Sequence, residues 1–151
     1  MLIFRYGMVE SKLKKILNIF SVLLLFAFSP VAAGDITKGE KKFKKCKSCH
    51  MIVDDSGRTI VKGGRNGPNL YGISGRVAAS IDGFKYGKSL ATLGKSGFVW
   101  SESEFIAYVA DPKKYLVDKL DDKKARSKMS YKLKNDADTL NIWAYLESVS
   151  K

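Results

Sequence analysis

The chain has 151 residues, with 27 Lys and Arg against 15 Asp and Glu, a formal charge of +12, and apolar side chains at 45% of its positions. No repeat or low-complexity segment suggests a second domain. Its two cysteines and its one histidine all fall within Cys46 to His50, which excludes a structural disulfide elsewhere and a second imidazole-based metal site.

Residues 1–33 read as an export signal. Lys12, Lys14 and Lys15 form a basic region, an apolar run follows from Ile16 to Phe28, and Val31-Ala32-Ala33 supplies a small-residue cleavage site before Gly34. As a helix that run spans roughly 20 Å, short of the roughly 30 Å of a bilayer's hydrocarbon core. Cleavage is therefore preferred over a permanent membrane anchor. Met8 is an alternative start to Met1 that gives a signal of more usual proportions. The division is 1–33 signal peptide and 34–151 a single domain, whose modest core a buried prosthetic group would help to fill. Without its signal the chain holds 23 basic and 14 acidic residues. So basic a surface points to an acidic docking protein. Nucleic acid is a poor alternative, because an exported protein rarely meets it and the basic runs lack interleaved stacking aromatics.

Asp35 to Lys47 reads as the first helix, with Ile36 and Phe43 two turns apart on one face and Gly39 between them allowing close approach of another element. It ends in Cys46-Lys47-Ser48-Cys49-His50. The C-x-x-C-H spacing lets two thiols bond a haem's vinyl groups while the following histidine ligates the iron. A thioredoxin-type disulfide would follow a strand in a βαβ context, which this Lys-rich helical stretch does not provide. Structural zinc needs about four N/S ligands, and three are on offer. The expected cofactor is one haem c per chain, attached through Cys46 and Cys49. Export agrees with it, since such attachment belongs to the oxidising side of the inner membrane.

Residues 53–69 read as a long loop, marked by Asp54-Asp55-Ser56-Gly57, Gly63-Gly64 and Gly67-Pro68. Gly83 to Ser89 imitates a phosphate-binding loop, but has three residues between its glycines where that motif needs four. Ser101 and Glu104 form a capping box for a helix through Ala110, and Asp111-Pro112 starts another toward Leu120. The last helix runs from about Asp136 to Val149, with Ile142, Tyr145, Leu146 and Val149 as its apolar stripe. Few stretches alternate as strands do, so the class is all-α.

With His50 the only histidine, a second axial bond comes from methionine or lysine, or the iron stays open on that side. Outside the signal the methionines are Met51 and Met129. Met51, adjacent to His50, is too close to reach around to the other haem face. Met129 remains, in the polar stretch Ala125 to Tyr131, where it has little reason to serve a helical core stripe. Thioether donation raises the reduction potential, and a filled sixth position resists oxygen or peroxide. Both features suit a one-electron carrier rather than an enzyme.

Together these features resemble the class I cytochromes c, most closely the bacterial cytochrome c2 subgroup, from Gly34 to Lys151. The resemblance implies a fold of about five helices around one haem. It implies that the carbonyl of Pro68, in Gly67-Pro68-Asn69-Leu70-Tyr71-Gly72, accepts a hydrogen bond from His50. Ser127-Lys128-Met129 is similar to the family's methionine-ligand motif, and Tyr108 matches a tyrosine that hydrogen-bonds the ligand sulfur. Arg76, Tyr86 and Trp100 are then expected to hold the haem propionates, and Gly39 and Phe43 to meet Ile142 and Tyr145. The stretch from Tyr115 to Met129 is several residues longer than in short mitochondrial-type members. Docking lysines around the haem edge correspond to Lys45, Lys113, Lys114 and Lys128.

The expectation is a monomeric periplasmic shuttle that takes one electron from a cytochrome bc1 complex and passes it to a cytochrome c oxidase or a photosynthetic reaction centre. The alternatives are a haem enzyme or gas- or peroxide-binding protein from which Met129 detaches, and a membrane-anchored form of the same carrier.

Overall fold

The computed structural model describes residues 33–150. Apart from Ala33, the export-signal reading lies outside the described residues, and no helix among those described is long and apolar enough to cross a membrane. Helix α1, Ile36–Phe43, begins where the Asp35 carboxylate accepts from Lys38 N at 2.9 Å, and it buries Gly39 and Phe43. It stops short of the expected Lys47. Past Phe43 the winding tightens, with Lys45 N donating to Lys42 O at 3.2 Å, and the chain continues as a 3-10 turn, Cys46–Ser48. The amides of Cys49 and His50 both donate to Cys46 O, at 3.1 and 3.0 Å, so the whole pentapeptide is wound into one compact turn.

The expected loop at 53–69 contains a small antiparallel hairpin, β1 Ile52–Val53 against β2 Thr59–Val61. Its turn is built by Asp54, whose Oδ1 accepts from the amides of Ser56 and Arg58, and by Gly57 at φ +84°. Strands this short leave no alternation to read. Helix α2, Lys88–Lys95, was not marked by sequence patterning: it has no side-chain cap, a glycine near its end, and only Leu93 fully buried.

The next two helices start where the caps predict. Helix α3, Glu102–Ala110, is capped by Ser101, and α4, Pro112–Leu120, by Asp111, whose carboxylate accepts from Lys114 N at 3.1 Å. Only half of the capping box forms, however. Ser101 Oγ accepts from Glu104 N, while the Glu104 carboxylate turns away to Tyr115 and Lys119. Asp121 closes α4 in the left-handed region at φ +46°.

Helix α5, Asp136–Ser148, is capped by Asn135 and crosses α1. Gly39 permits the crossing, since any side chain there would strike the Asn141 carbonyl and Tyr145. Phe43 and Tyr145 meet at 5.6 Å between ring centroids, Asp35 N donates to Asn141 Oδ1, and Lys42 pairs with Asp138 at 2.7 Å. Ile142, Tyr145 and Leu146 are buried as the stripe requires, together with Thr139 and Trp143, and Val149 is partly covered. The protein is all-α in class, with five α-helices among the described residues.

Candidate functional site

One cavity of about 220 Å³ opens among these elements. Close-packed interiors rarely keep a void larger than a water molecule, so this space is built for a ligand. Lys45, Cys46, Cys49, His50, Pro68, Arg76, Tyr86, Trp100, Tyr108, Lys128 and Met129 all line it. Lys113 and Lys114, on the first turn of α4, are exposed and do not.

Backbone hydrogen bonds hold the 63–70 loop against the C-x-x-C-H turn. Gly64 N donates to Lys47 O at 2.9 Å, Gly67 N to Cys49 O at 2.8 Å, and Leu70 N to Met51 O at 3.1 Å. Gly67 lies on the His50 ring so closely that a Cβ there would sit 2.5 Å from Nδ1. His50 Nδ1 is 2.8 Å from Pro68 O. A carbonyl can only accept, so Nδ1 carries the proton and the Nε2 lone pair is left for a ligand. Burial lowers the His50 pKa and outweighs the opposing effect of the Pro68 hydrogen bond, with Arg76 adding to the lowering, so the ring is neutral, as metal ligation requires.

Both cysteines line the same cavity and are not bonded to each other. Burial pushes the Cys46 thiol up to about 11, with Cys49 adding to it. An uncharged thioether fits that apolar setting better than a thiolate. A soft sulfur donor, a neutral imidazole and two thiols opening on one largely apolar space suit a covalently attached haem.

Arg76 is half-buried, and its guanidinium donates to Tyr71 O at 2.7 Å and Asn69 O at 3.0 Å. Burial lowers its pKa, with neighbouring Tyr86 working the other way. Trp100 is buried at 7% exposure, stacked on Tyr115 and edge-on to Tyr108 and Phe98. The Tyr108 hydroxyl, pushed up by burial, shares a 3.3 Å hydrogen bond with Ser127 Oγ, and Tyr108 and Met129 line the same cavity. Ser127 Oγ in turn accepts from Met129 N at 3.0 Å. Met129 is partly buried and packs against the core.

Sequence reasoning missed Ser127 and the side chain of Asn69. Ser127 stands beside the methionine motif but has no local signature, because its partner Tyr108 lies 19 residues away. Among the lysines, Lys114 is paired with Asp118 and Lys128 donates to Lys85 O, whereas Lys45 and Lys113 have no ion pair among the described residues.

No protein-family model matches the chain. It is 54% identical over 128 residues to cytochrome c-551 of Roseobacter denitrificans, covering 84% of this chain and 90% of the relative. To cytochrome c2 of Rhodobacter capsulatus it is 48% identical over 131 residues, covering 87% and 94%. Among solved structures, cytochrome c2 from Rhodobacter capsulatus superposes with a TM-score of 0.74 at 50% identity, covering 78% of this chain and 100% of that one. Ferric cytochrome c-550 from Paracoccus versutus gives a TM-score of 0.74 at 47% identity, covering 78% and 99%.

Proposed function

Because the chain belongs to the class I cytochromes c of the cytochrome c2 type, an electron carrier with one covalent haem c and not an enzyme, we propose that it is a periplasmic shuttle whose iron is held between His50 and Met129. The observation that carries this reading is the 2.8 Å approach of His50 Nδ1 to Pro68 O in a cavity that Met129 also lines. The haem supplies reversible one-electron chemistry at its iron.

The protein's own residues bind, orient and insulate. Pro68 fixes the imidazole tautomer, and Gly67 leaves room for the ring. Ser127 holds the Met129 amide, and Tyr108 reaches the ligand loop through that serine. Trp100, Phe105 and Tyr108 exclude water from an apolar wall, which favours the less charged, reduced centre. Arg76 and Tyr86 hold the propionates with Trp100. Two of the Arg76 N–H groups are engaged by Asn69 and Tyr71, which leaves a locked guanidinium rather than a mobile one.

The partners in this reading are a cytochrome bc1 complex as donor and a cytochrome c oxidase or photosynthetic reaction centre as acceptor, met by a monomer through Lys45, Lys113, Lys114 and Lys128. Residues 1–33 are its export signal, cleaved before Gly34, which N-terminal sequencing of the exported protein tests. For the iron ligands the test is the optical spectrum of the holoprotein. A weak near-red band in the oxidised form that vanishes in Met129→Ala, with no response of the reduced native protein to carbon monoxide, supports the reading. Absence of the band with ready carbon monoxide binding refutes Met129 and favours a ligand-binding haem protein.

A further inference from the structure

The peptide that joins Pro68 to Asn69 carries the carbonyl facing His50, and proline cannot help hold it, having no N–H. Upstream it is tied by Gly67 N to Cys49 O at 2.8 Å. Downstream the tie is a side chain. Asn69 Oδ1 accepts from Val53 N at 3.0 Å, and Asn69 Nδ2 donates to Val53 O at 2.6 Å. The carboxamide thus pairs with both polar groups of one residue of β1, as a neighbouring strand would. The same Oδ1 also accepts from Tyr71 N at 3.1 Å. On the main chain, Asn69 O accepts from Arg76 Nη2. So many bonds on one residue exceed what a surface turn needs, and they converge on the peptide that meets the imidazole.

We infer that Asn69 is a positioning residue for His50: by clamping its own backbone to Val53 it fixes the direction of the Pro68 carbonyl, and through it the strength of the Nδ1–H hydrogen bond and the haem potential. The inference rests on His50 being the iron ligand. A strong bond at Nδ1 makes the imidazole a more basic donor and favours the oxidised iron. Loosening the clamp lengthens the bond, weakens that donation and raises the potential. An aspartate at 69 is a poor probe because its charge would lower the potential by itself. Alanine removes all three side-chain bonds without adding charge.

The experiment compares native and Asn69→Ala holoproteins by potentiometry and by proton NMR of the reduced state, following the His50 Nδ1 proton and its exchange with solvent. The expected result is an upfield shift of that proton, several-fold faster exchange and a higher potential. If these three readings match the native protein while only the thermal midpoint falls, Asn69 is structural and the inference is overturned; a lower potential also overturns it. If alanine does not give holoprotein, Asn69→Ser takes the same measurements, since a serine hydroxyl can still accept from Tyr71 N while the pairing with Val53 is lost. The native spectrum separates this inference from the reading beneath it. A His50 ring with no haem-shifted resonances in the native protein overturns both, whereas shifted resonances with an insensitive Nδ1 proton overturn the clamp alone.

Discussion

The hydroxyl of Tyr115 on α4 donates to Glu104 Oε2 on α3 at 2.5 Å, and the other carboxylate oxygen of Glu104 takes Lys119 Nζ at the same distance. Lys119 also lies over the Phe98 and Tyr115 rings, 5.7 and 5.5 Å from their centroids. Tyr115 stacks on Trp100, so this polar cluster closes the outer side of the aromatic wall that lines the haem cavity.

Desolvation works to raise the Glu104 pKa, but hydrogen bonds from Lys119 and Tyr115 outweigh it and leave the carboxyl below its ordinary 4.5. A depressed carboxyl pKa contributes stability above the unfolded value and loses it as pH falls through the folded one. Glu104→Gln is therefore expected to cost about 1 kcal/mol at neutral pH, after allowance for solvent screening. That cost should shrink as pH falls from 4.5 through the lower value of the folded carboxyl, because the unfolded chain takes up the proton first. Urea unfolding of both proteins across that range checks it, and a cost independent of pH would mean that the glutamate's charge contributes nothing.

Gly67→Ala places a methyl group 2.5 Å from His50 Nδ1, far inside contact distance. Overpacking of this kind costs about 1–3 kcal/mol or more. The expected outcome is poor holoprotein yield or, where protein is recovered, a lower thermal midpoint with an altered haem spectrum. Native midpoint and spectrum would show that the loop can move away freely.

Ser127→Ala removes the link between Tyr108 and the Met129 amide. One net hydrogen bond is worth about 1 kcal/mol, so under the proposed His50/Met129 ligation displacement of Met129 becomes roughly fivefold easier. Imidazole titration of the oxidised protein reads this directly as tighter apparent binding. Unchanged binding would place the restraint on Met129 elsewhere.

Lys45 lines the cavity rim and has no ion pair among the described residues, whereas Lys114 is held by Asp118 at 2.5 Å. In steered association a free charge at the rim matters more than a neutralised one outside it. Lys45→Glu is expected to slow electron transfer to an acidic partner at low salt more than Lys114→Glu does, with both effects fading at high ionic strength. Stopped-flow rates over a salt series decide the order.

The haem attachment was legible because its chemistry is local: two cysteines within five consecutive residues state two bonds, whatever surrounds them. The starts of α3 and α4 were legible for the same reason, since Ser101 and Asp111 cap amides three residues away. The stripe on α5 follows from periodicity alone. Tertiary structure decided everything that depended on distant partners. It drew the Glu104 carboxylate out of its capping box to meet Tyr115 and Lys119, 11 and 15 residues on. It also aimed Arg76 at two backbone carbonyls, put Ser127 between Tyr108 and Met129, and gave Asn69 a partner 16 residues upstream. A side chain's hydrogen-bonding capacity is written in its type, but which group satisfies it is settled only when packing brings candidates within about 3 Å. Sequence determined which cofactor this protein holds, and the fold determined which side chains pack around its site.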